Sequence, residues 1–510
     1  MKEEEDSCSK VFELVLDEVG HFGYFQKRLF LLASLLQILA TPVILYFDLL
    51  SDLPVTFLDQ CDDYDENVTV LNKGIETCVN LTVIGPIQEL PKWMLNSHNE
   101  TDTDVVYYVQ STGLVLGTIL GGFASDLLGR KPILFVSLAL MFLSHGLIAA
   151  CSDFSCFSIG RFVTNTFAGS FIIPSTVLYT EYIGRNYRDV CVCACLWWLG
   201  TIMLCFQAMI THNWIYLAVS LSIIGLPFSG LYFTFPESFR WFCCRQKFQA
   251  AENALREMTS CNTHTKPDVT SVCDNINASV VNAMRVRTYT YLDIFKCRRS
   301  IVATITLCIT SFASCTVYRC LLEKVWNLTD NIYIDSILRY IVDLPIIFTA
   351  IIISKCIGRR WSIFLYAMSS GFALMCVLVL SIVNSLLNDD EIITGVALFG
   401  KLGVASTIVF LILVALEIYP TTIRCMGTAL ILASDICGFA VGRYIVTVLN
   451  MSFHYTTTFI VHGSVMFCVG FLALILPETY DQPLPDIVRS RHRIIASQDN
   501  TTIAHGWRKV

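Results

Sequence analysis

The chain has 510 residues, of which 54% are hydrophobic and 15% are charged, and its formal net charge at pH 7 is −7. Its mean hydropathy is +0.60, whereas a soluble domain carries about 25% charged residues. The composition excludes an ordinary soluble protein, and we expect no nucleic-acid partner.

The chain begins with a polar segment, 1–28, which starts with the acidic run MKEEED and contains no cleavable signal. Apolar stretches of about 19 to 23 residues follow, each long enough to cross a hydrocarbon core of about 30 Å. We predict twelve spans, six on each side of a polar loop at 236–300. They lie near 29–47, 106–125, 132–150, 157–179, 190–210, 214–235, 301–321, 336–354, 361–383, 393–416, 426–447 and 455–476. The expected fold is an all-α membrane protein with two six-helix halves, 29–235 and 301–476, followed by a tail at 477–510.

The distribution of charge between the loops predicts the orientation. The segment 48–105 has twelve acidic residues against two lysines, whereas 236–300 has ten Lys or Arg. Because positive charge marks the cytoplasmic side, both termini and the central loop are expected inside, and 48–105 outside.

Glycosylation sequons and cysteine pairs fit this orientation. Sequons that fall on the outer side, where glycosylation is expected, are Asn67, Asn80, Asn99, Asn327 and Asn450. Disulfides are expected within two outer pairs, Cys61 with Cys78 and Cys151 with Cys156. No Cys/His spacing suggests a metal site, and no cofactor is expected.

One segment of the chain occurs twice. Glu181 precedes Arg188 by seven residues, and Glu417 precedes Arg424 by seven. The glycine-basic turn at 129–131 has a counterpart at 358–360, and Gly-Arg at 160–161 has one in Gly-Lys at 400–401. Two copies of a helical membrane unit are typical of secondary transporters, which hold the substrate between the halves.

The turn after the second span reads Gly122-x-x-x-Asp126-x-x-Gly129-Arg130-Lys131. Glycines permit a tight turn, and Asp126 can accept hydrogen bonds from the free amides that begin the next helix. Arg130 and Lys131 are then expected to face the other half. A mere topology anchor would explain the two cations, but not the acid and glycines at fixed spacing.

This turn resembles the loop between helices two and three of the major facilitator superfamily. Pro-Glu-Ser-Phe-Arg-Trp at 236–241 resembles a hallmark of sugar porters and organic ion transporters. The segments VGHFGYFQ at 19–26 and EIYPTTIR at 417–424, together with the large outer loop, narrow the resemblance to solute carrier family 22, the organic cation, anion and zwitterion transporters.

The resemblance implies that the loop charges pair across the cytoplasmic face and hold it closed while the site opens outward. The residues implied in this gate are Asp126, Gly129, Arg130, Lys131, Glu181, Arg188, Arg359, Arg360, Glu417 and Arg424. Lys355 stands where the family pattern has an acid, so the second-half lock lacks one carboxylate.

Asp435 is the sharpest candidate for substrate binding. It lies ~11–13 Å into the eleventh span, close to the middle of the membrane, at 1.5 Å per residue. No cation lies three or four residues away on its helix. A partner on another helix, water or a cationic ligand must therefore satisfy it. The resemblance places an Asp here in cation transporters and an Arg in many anion and carnitine transporters.

A second intramembrane carboxylate, Asp343, precedes Pro345 in the eighth span. Arg339 lies four residues earlier, so a pair within the helix is the simpler interpretation. Arg319 and Arg339 are the main evidence against a simple cation site. Aromatic rings that could surround a cation include Tyr179, Tyr318 and Phe410, although rings at such positions are more often packing residues.

These observations predict a plasma-membrane transporter of small organic cations that works by alternating access. No ATP-binding motif is present, so the substrate gradient and the membrane potential would supply the energy. The main alternative is an organic anion or zwitterion transporter that uses Arg319 or Arg339. A non-transporting sensor is a further possibility, and an enzyme is not expected, because no nucleophile–base arrangement appears.

Overall fold

A computed structural model of the protein describes residues 12–51, 101–193, 197–262, 288–324, 332–384, 390–452 and 455–486. The regular elements of these ranges are helices. In the first half they are α1 (12–19), α2 (Tyr24–Ser51), α3 (Thr101–Leu128), α4 (Arg130–Ile148), α5 (Phe154–Tyr182), α6 (Arg188–Cys193), α7 (Trp197–Thr211) and α8 (Trp214–Gly225). The central region contains α9 (Phe239–Cys244) and α10 (Phe248–Asn262). The second half contains α11 (Arg298–Lys324), α12 (Ile332–Ile341), α13 (Pro345–Ile357), α14 (Arg359–Asn384), α15 (Asp390–Ile418), α16 (Arg424–Ser452) and α17 (Tyr455–Ala473).

Within the described ranges, eight helices are long and apolar enough to cross a membrane. Several are longer than the apolar stretches that predicted them: α2 and α3 each have 28 residues. At 1.5 Å per residue such a helix measures about 42 Å, which exceeds the hydrocarbon core. These helices therefore continue past the apolar core.

Two predicted spans are not continuous α-helices. The sixth span changes from α8 to a 3-10 helix at Leu226–Thr234, with Pro227 near the start of the change. The eighth span is divided into α12 and α13, because 342–344 form a tight turn and Pro345 lacks an amide hydrogen. Asp343 lies in this turn, so a regular i,i+4 relation to Arg339 does not hold there.

The central region, expected to be a polar loop, has structure of its own at both ends. Besides α9 and α10, a 3-10 helix at Tyr291–Lys296 leads into α11. The N-terminal helix α1 packs against this layer, with the rings of Phe12 and Phe239 6.0 Å apart. The N-terminal helix and the central region thus form a packed layer at one end of the membrane helices.

Among the predicted outer features, Cys151 and Cys156 are joined by a disulfide with a Cα–Cα distance of 5.4 Å. The other expected pair, Cys61 and Cys78, lies outside the described residues, as do Asn67, Asn80, Asn99 and Asn327. Asn450 lies in the last turns of α16.

Glycines bring helix backbones together in both halves. A Cβ at Gly117 of α3 would lie 1.9 Å from the carbonyl oxygen of Thr166 in α5. In the second half, a Cβ at Gly438 of α16 would lie 2.3 Å from the Phe312 oxygen of α11. The halves meet where Gly122 of α3 faces Ala429 of α16. Close backbone approach between membrane helices of this kind replaces the hydrophobic effect as a packing force.

Gly117→Ala should therefore destabilise the fold, by about 1–3 kcal/mol, because the methyl group has no room between α3 and α5. Thermal unfolding of the purified protein in detergent measures this as a lower melting temperature. Gly230→Ala is the matched control, since nothing lies within 4 Å of its Cβ. Equal melting temperatures for the two variants would contradict the packing described.

Candidate functional site

The first-half turn begins α4 with a carboxylate from a distant part of the chain. Gly129 has φ 119°, a conformation that favours glycine. The Glu237 carboxylate accepts hydrogen bonds from the Arg130 and Lys131 amides, at 3.0 and 3.1 Å. Glu237 therefore supplies the helix-start interaction that was expected from Asp126.

The second-half turn repeats this arrangement. Gly358 has φ 84°, and Glu478 accepts from the Arg359 and Arg360 amides at 2.8 and 3.2 Å. Pro-Glu occurs at 236–237 and again at 477–478. This second copy of the motif was a signal in the sequence, and our sequence analysis missed it.

Glu181 is the centre of the buried ionic contacts between the halves. Its Oε1 lies 3.2 Å from Arg130 Nη2 and 2.7 Å from Arg424 Nη1, and Ser238 donates to its other oxygen. All three charged side chains are 0% exposed. Arg130 also donates to the Thr421 carbonyl at 2.6 Å. One carboxylate thus holds an arginine from each half.

Asp126 also acts across the halves rather than on its own turn. Its carboxylate accepts from the Cys425 and Met426 amides at 3.3 and 2.9 Å, where α16 begins. It also lies 3.2 Å from Arg130. A carboxylate at a helix N-terminus satisfies free amides and interacts favourably with the helix dipole.

Two further arginines tie the chain ends to this layer. Glu13 of α1 lies 2.6 Å from Arg188 and 2.9 Å from Arg240, and Arg240 also reaches Asp486 at 3.2 Å. Burial alone would raise the pKa of Glu13, but the two guanidinium groups outweigh it and hold that pKa below its ordinary value. The sequence analysis did not single out Glu13. The helical spacing of Phe12, Val15, Leu16 and Val19 was the signal for the helix that carries it.

The remaining predicted gate residues divide into two groups. Arg359 lies 3.4 Å from Glu417, which also accepts from the Thr479 hydroxyl at 2.6 Å. Lys131 and Arg360 depart from the expectation, because their side chains lie over Tyr232 at 4.4 Å and Trp361 at 5.6 Å, in their own halves. Their amides, and not their charges, take part in the turns.

A cavity of about 210 Å³ lies between the halves. It is lined by α2, α3 and α5 from one half and by α11 and α16 from the other, and Asp435, Asp48, Tyr107 and Phe439 are among its residues. None of the described residues that line it is a lysine or arginine. The cavity occupies the position that the repeat predicted for a substrate.

The Asp435 side chain is 6% exposed, and neither of its oxygens has a hydrogen-bond partner among the described residues. The Ser311 hydroxyl and the Cys315 thiol lie close enough to interact with it, but neither forms a hydrogen bond of ordinary geometry, and no cation pairs with it in the described part of the chain. A buried carboxylate without a counter-charge is costly. It remains available to a ligand.

Asp343 and Tyr318 form a different cluster. Lys401 Nζ lies 3.0 and 3.1 Å from the Asp343 oxygens, and the Tyr318 hydroxyl donates to Asp343 at 2.7 Å. Arg339, the partner expected, contributes its carbonyl oxygen to the same Lys401 amine. Asp343 is therefore neutralised by Lys401, which lies on α15.

The Lys401 cluster has a counterpart in the first half. Arg161 donates to the Gln110 side chain at 2.7 Å and to the Val43 carbonyl at 3.0 Å. The Gly-Arg and Gly-Lys repeat thus marks a buried cation in each half that ties helices together. Both are structural contacts within one half.

Two predicted aromatic residues lie in packed rings rather than on the cavity. Tyr179 is 2% exposed and meets the Phe30 ring edge-on at 5.7 Å. Phe410 is 0% exposed and stacks on Tyr366 at 5.8 Å. The aromatic residues on the cavity are Tyr107 and Phe439, which the sequence did not single out.

Arg319 and Arg339 line a second, smaller cavity of about 30 Å³, together with Asp48. The Arg319 guanidinium lies 5.5 Å from the Tyr107 ring centre and 5.0 Å from that of Phe439. Both rings also line the larger cavity, and Asp48 borders both cavities. A volume of this size holds only one or two water molecules.

Comparisons with known proteins agree with this architecture. The family described as Sugar (and other) transporter matches residues 73–490. Solute carrier family 22 member 15-like from Xenopus laevis is 26% identical over 476 residues, covering 92% of this chain and 94% of the relative. Solute carrier family 22 member 3 from Mus musculus is 27% identical over 411 residues, covering 80% and 70%. Organic cation/carnitine transporter 2 from Homo sapiens is 23% identical over 419 residues, covering 81% and 73%.

Solved structures show the same fold. The proton:xylose symporter XylE bound to 6-bromo-6-deoxy-D-glucose has a TM-score of 0.64 and 19% identity, covering 90% of this chain and 98% of that chain. The inward open conformation of XylE from E. coli has a TM-score of 0.56 and 16% identity, with the same two shares covered.

The protein is a multi-pass membrane protein of the sugar (and other) transporter family, and its fold is that of the major facilitator superfamily protein XylE. The chain belongs to the sugar (and other) transporter family, and its similarity to solute carrier family 22 members extends over most of its length. The resemblance stated from the sequence motifs and the all-α fold are both confirmed.

Glu181→Gln should destabilise the protein strongly, by about 3–5 kcal/mol, because it leaves two buried guanidinium groups without their shared counter-charge. The melting temperature in detergent measures the loss. Glu252→Gln is the control, since its ion pair with Arg256 lies on the surface of α10 and should change stability by less than about 0.5 kcal/mol. A Glu181→Gln protein as stable as the control would show that the contacts of Glu181 with Arg130 and Arg424 contribute no stability.

Proposed function

We propose that the protein transports small organic cations across the plasma membrane by alternating access. The observation that carries the proposal is the Asp435 carboxylate, buried beside a cavity between the halves without a hydrogen-bond partner or cation in the described residues. A bound organic cation would supply the missing counter-charge. The relative named Organic cation/carnitine transporter 2 supports a cationic group in the substrate.

The cavity favours a small cation. Its volume, about 210 Å³, is below the ~300–1,000 Å³ of drug-sized sites. Tyr107 and Phe439 offer aromatic surface, and the rest of the lining is mostly apolar. A compact cation with an apolar shell, such as a tetraalkylammonium ion, matches both the charge and the surface.

The ion pairs at the cytoplasmic ends serve as the gate. Arg130, Glu181 and Arg424 join the halves when that side is closed. Opening toward the cytoplasm must separate them, while the Asp435 cavity stays at the interface of the halves. Binding and gating are therefore assigned to different residues of the same interface.

The energy for uptake comes from the substrate gradient and the membrane potential. A monovalent cation gains about 2.3 kcal/mol per 100 mV of inside-negative potential, which corresponds to roughly fifty-fold accumulation. Both termini are assigned to the cytoplasm on the charge of the loops.

An anion or zwitterion transporter is the second candidate. Arg319 and Arg339 favour it, because both line the small cavity beside Asp48. The cation assignment is better supported, because the larger cavity has no basic residue in its described lining and contains Asp435.

Asp435→Asn should raise the KM for labelled tetraethylammonium about ten-fold or more, because the cation loses its charged partner in a buried site. Asp435→Arg should abolish uptake. Initial uptake rates in transfected cells, normalised to surface-labelled protein, measure both effects.

Asp153→Asn is the matched control, since it also removes one carboxylate but lies exposed at the start of α5. Tetraethylammonium uptake with the parent KM in Asp435→Asn would reject the cation site. Arg319 and Arg339 would then become the residues to test.

A further inference from the structure

The second-half turn lacks the carboxylate that the first-half turn uses twice. Asp126 forms an ion pair with Arg130 at 3.2 Å and accepts from the Cys425 and Met426 amides at the start of α16. Lys355 occupies the matching position, three residues before the second glycine. A lysine can neither accept these hydrogen bonds nor neutralise an arginine.

A carboxylate from the other half occupies the corresponding place. The repeated Glu–Arg pairs make Asp189 the counterpart of Cys425, and Val190 the counterpart of Met426. Asp189 Oδ1 accepts from the Val190 amide at 2.9 Å, and its Oδ2 lies 3.6 Å from Arg359 Nη1. One side chain therefore satisfies a helix-start amide and faces the arginine, which are the two roles of Asp126.

The burial of this pair gives it weight. The Asp189 and Arg359 side chains are each 1% exposed, so solvent screens their interaction little. Lys355 is exposed, with its Nζ 6.0 Å from the ring centre of Tyr187, two residues before Asp189. The acid thus lies on α6 of the first half, and a base lies on α13 at the position that corresponds to Asp126.

The exchange changes what the ion pair joins. Asp126 and Arg130 belong to the same half and stay together whichever side is open. Asp189 and Arg359 belong to different halves, so opening toward the cytoplasm must separate them. A carboxylate at position 355 would also stand near Asp189, and like charges would repel.

We propose, on the basis of the transport function above, that Asp189 replaces the missing second-half carboxylate. The second gate, which is the ion pair of Asp189 with Arg359, is thereby a buried contact between the halves. Lys355 is the residue whose charge is compatible with this acid. In the first gate, by contrast, the corresponding acid Asp126 pairs with an arginine of its own half and contacts the other half through backbone amides.

The reactivity of Cys425 with N-ethylmaleimide tests the gate without any substrate. Cys425 is 0% exposed at the closed interface, whereas Cys261 is exposed on α10 and serves as the internal reference. Purified protein in detergent is labelled for increasing times, and both peptides are quantified by mass spectrometry. Asp189→Asn should raise the Cys425 labelling rate relative to Cys261 about five-fold, because the open state becomes more populated.

The decisive variant moves the carboxylate from position 189 to position 355. Lys355→Asp alone should also raise Cys425 labelling, since a further carboxylate then competes with Asp189 and Glu417 for Arg359. The double variant Asp189→Asn/Lys355→Asp should return labelling, and the yield of folded protein, toward those of the parent. Asp481→Asn, at an exposed ion pair with Arg185, should change nothing.

Two results would overturn the assignment: parent-like labelling in Asp189→Asn, or a double variant no closer to the parent than Asp189→Asn. Because labelling uses no substrate, these results are independent of cation transport. If the parent protein does not take up tetraethylammonium, the proposed substrate is rejected. The gate assignment then remains intact.

Discussion

A buried charge needs a counter-charge, and this constraint organises the protein. Six of the largest fully buried side chains are arginines: Arg130, Arg161, Arg188, Arg240, Arg359 and Arg424. Each meets carboxylates or carbonyl oxygens, and several of these contacts cross between the halves. Because an unpaired buried charge costs several kcal/mol, the halves separate at this end only when water or another partner replaces these contacts.

Asp435 is the contrast that gives the arrangement its function. The carboxylates of the two turns are satisfied by arginines and amides, whereas Asp435 has no hydrogen-bond partner in the described residues and borders a cavity. A stable protein tolerates such a group where a ligand completes it. In the function that we propose, the paired charges close the interface, and Asp435 selects what can enter it.

The sequence predicted what depends on local pattern. Apolar length predicted the helices, and the resemblance to a known family implied that Glu181 and Arg424 belong to one set of charges between the halves. The break at Asp343 was missed, because the effect of Pro345 was not weighed, and the partner Lys401 lies on a helix that no spacing connects to it. Tyr179 and Phe410 show the same limit, since which face of a helix meets a cavity is decided by tertiary packing.

Contacts between distant segments could be found only in the structure. Glu237 and Glu478 start their helices from about 107 and 119 residues away, although the repeated Pro-Glu was visible.

The measurement that tests the central claim most directly is uptake of labelled tetraethylammonium, carnitine and an aromatic anion in the same cells. The account predicts saturable tetraethylammonium uptake that falls when high external potassium depolarises the membrane, with the anion at background. Uptake of the anion, with tetraethylammonium at background, would contradict it.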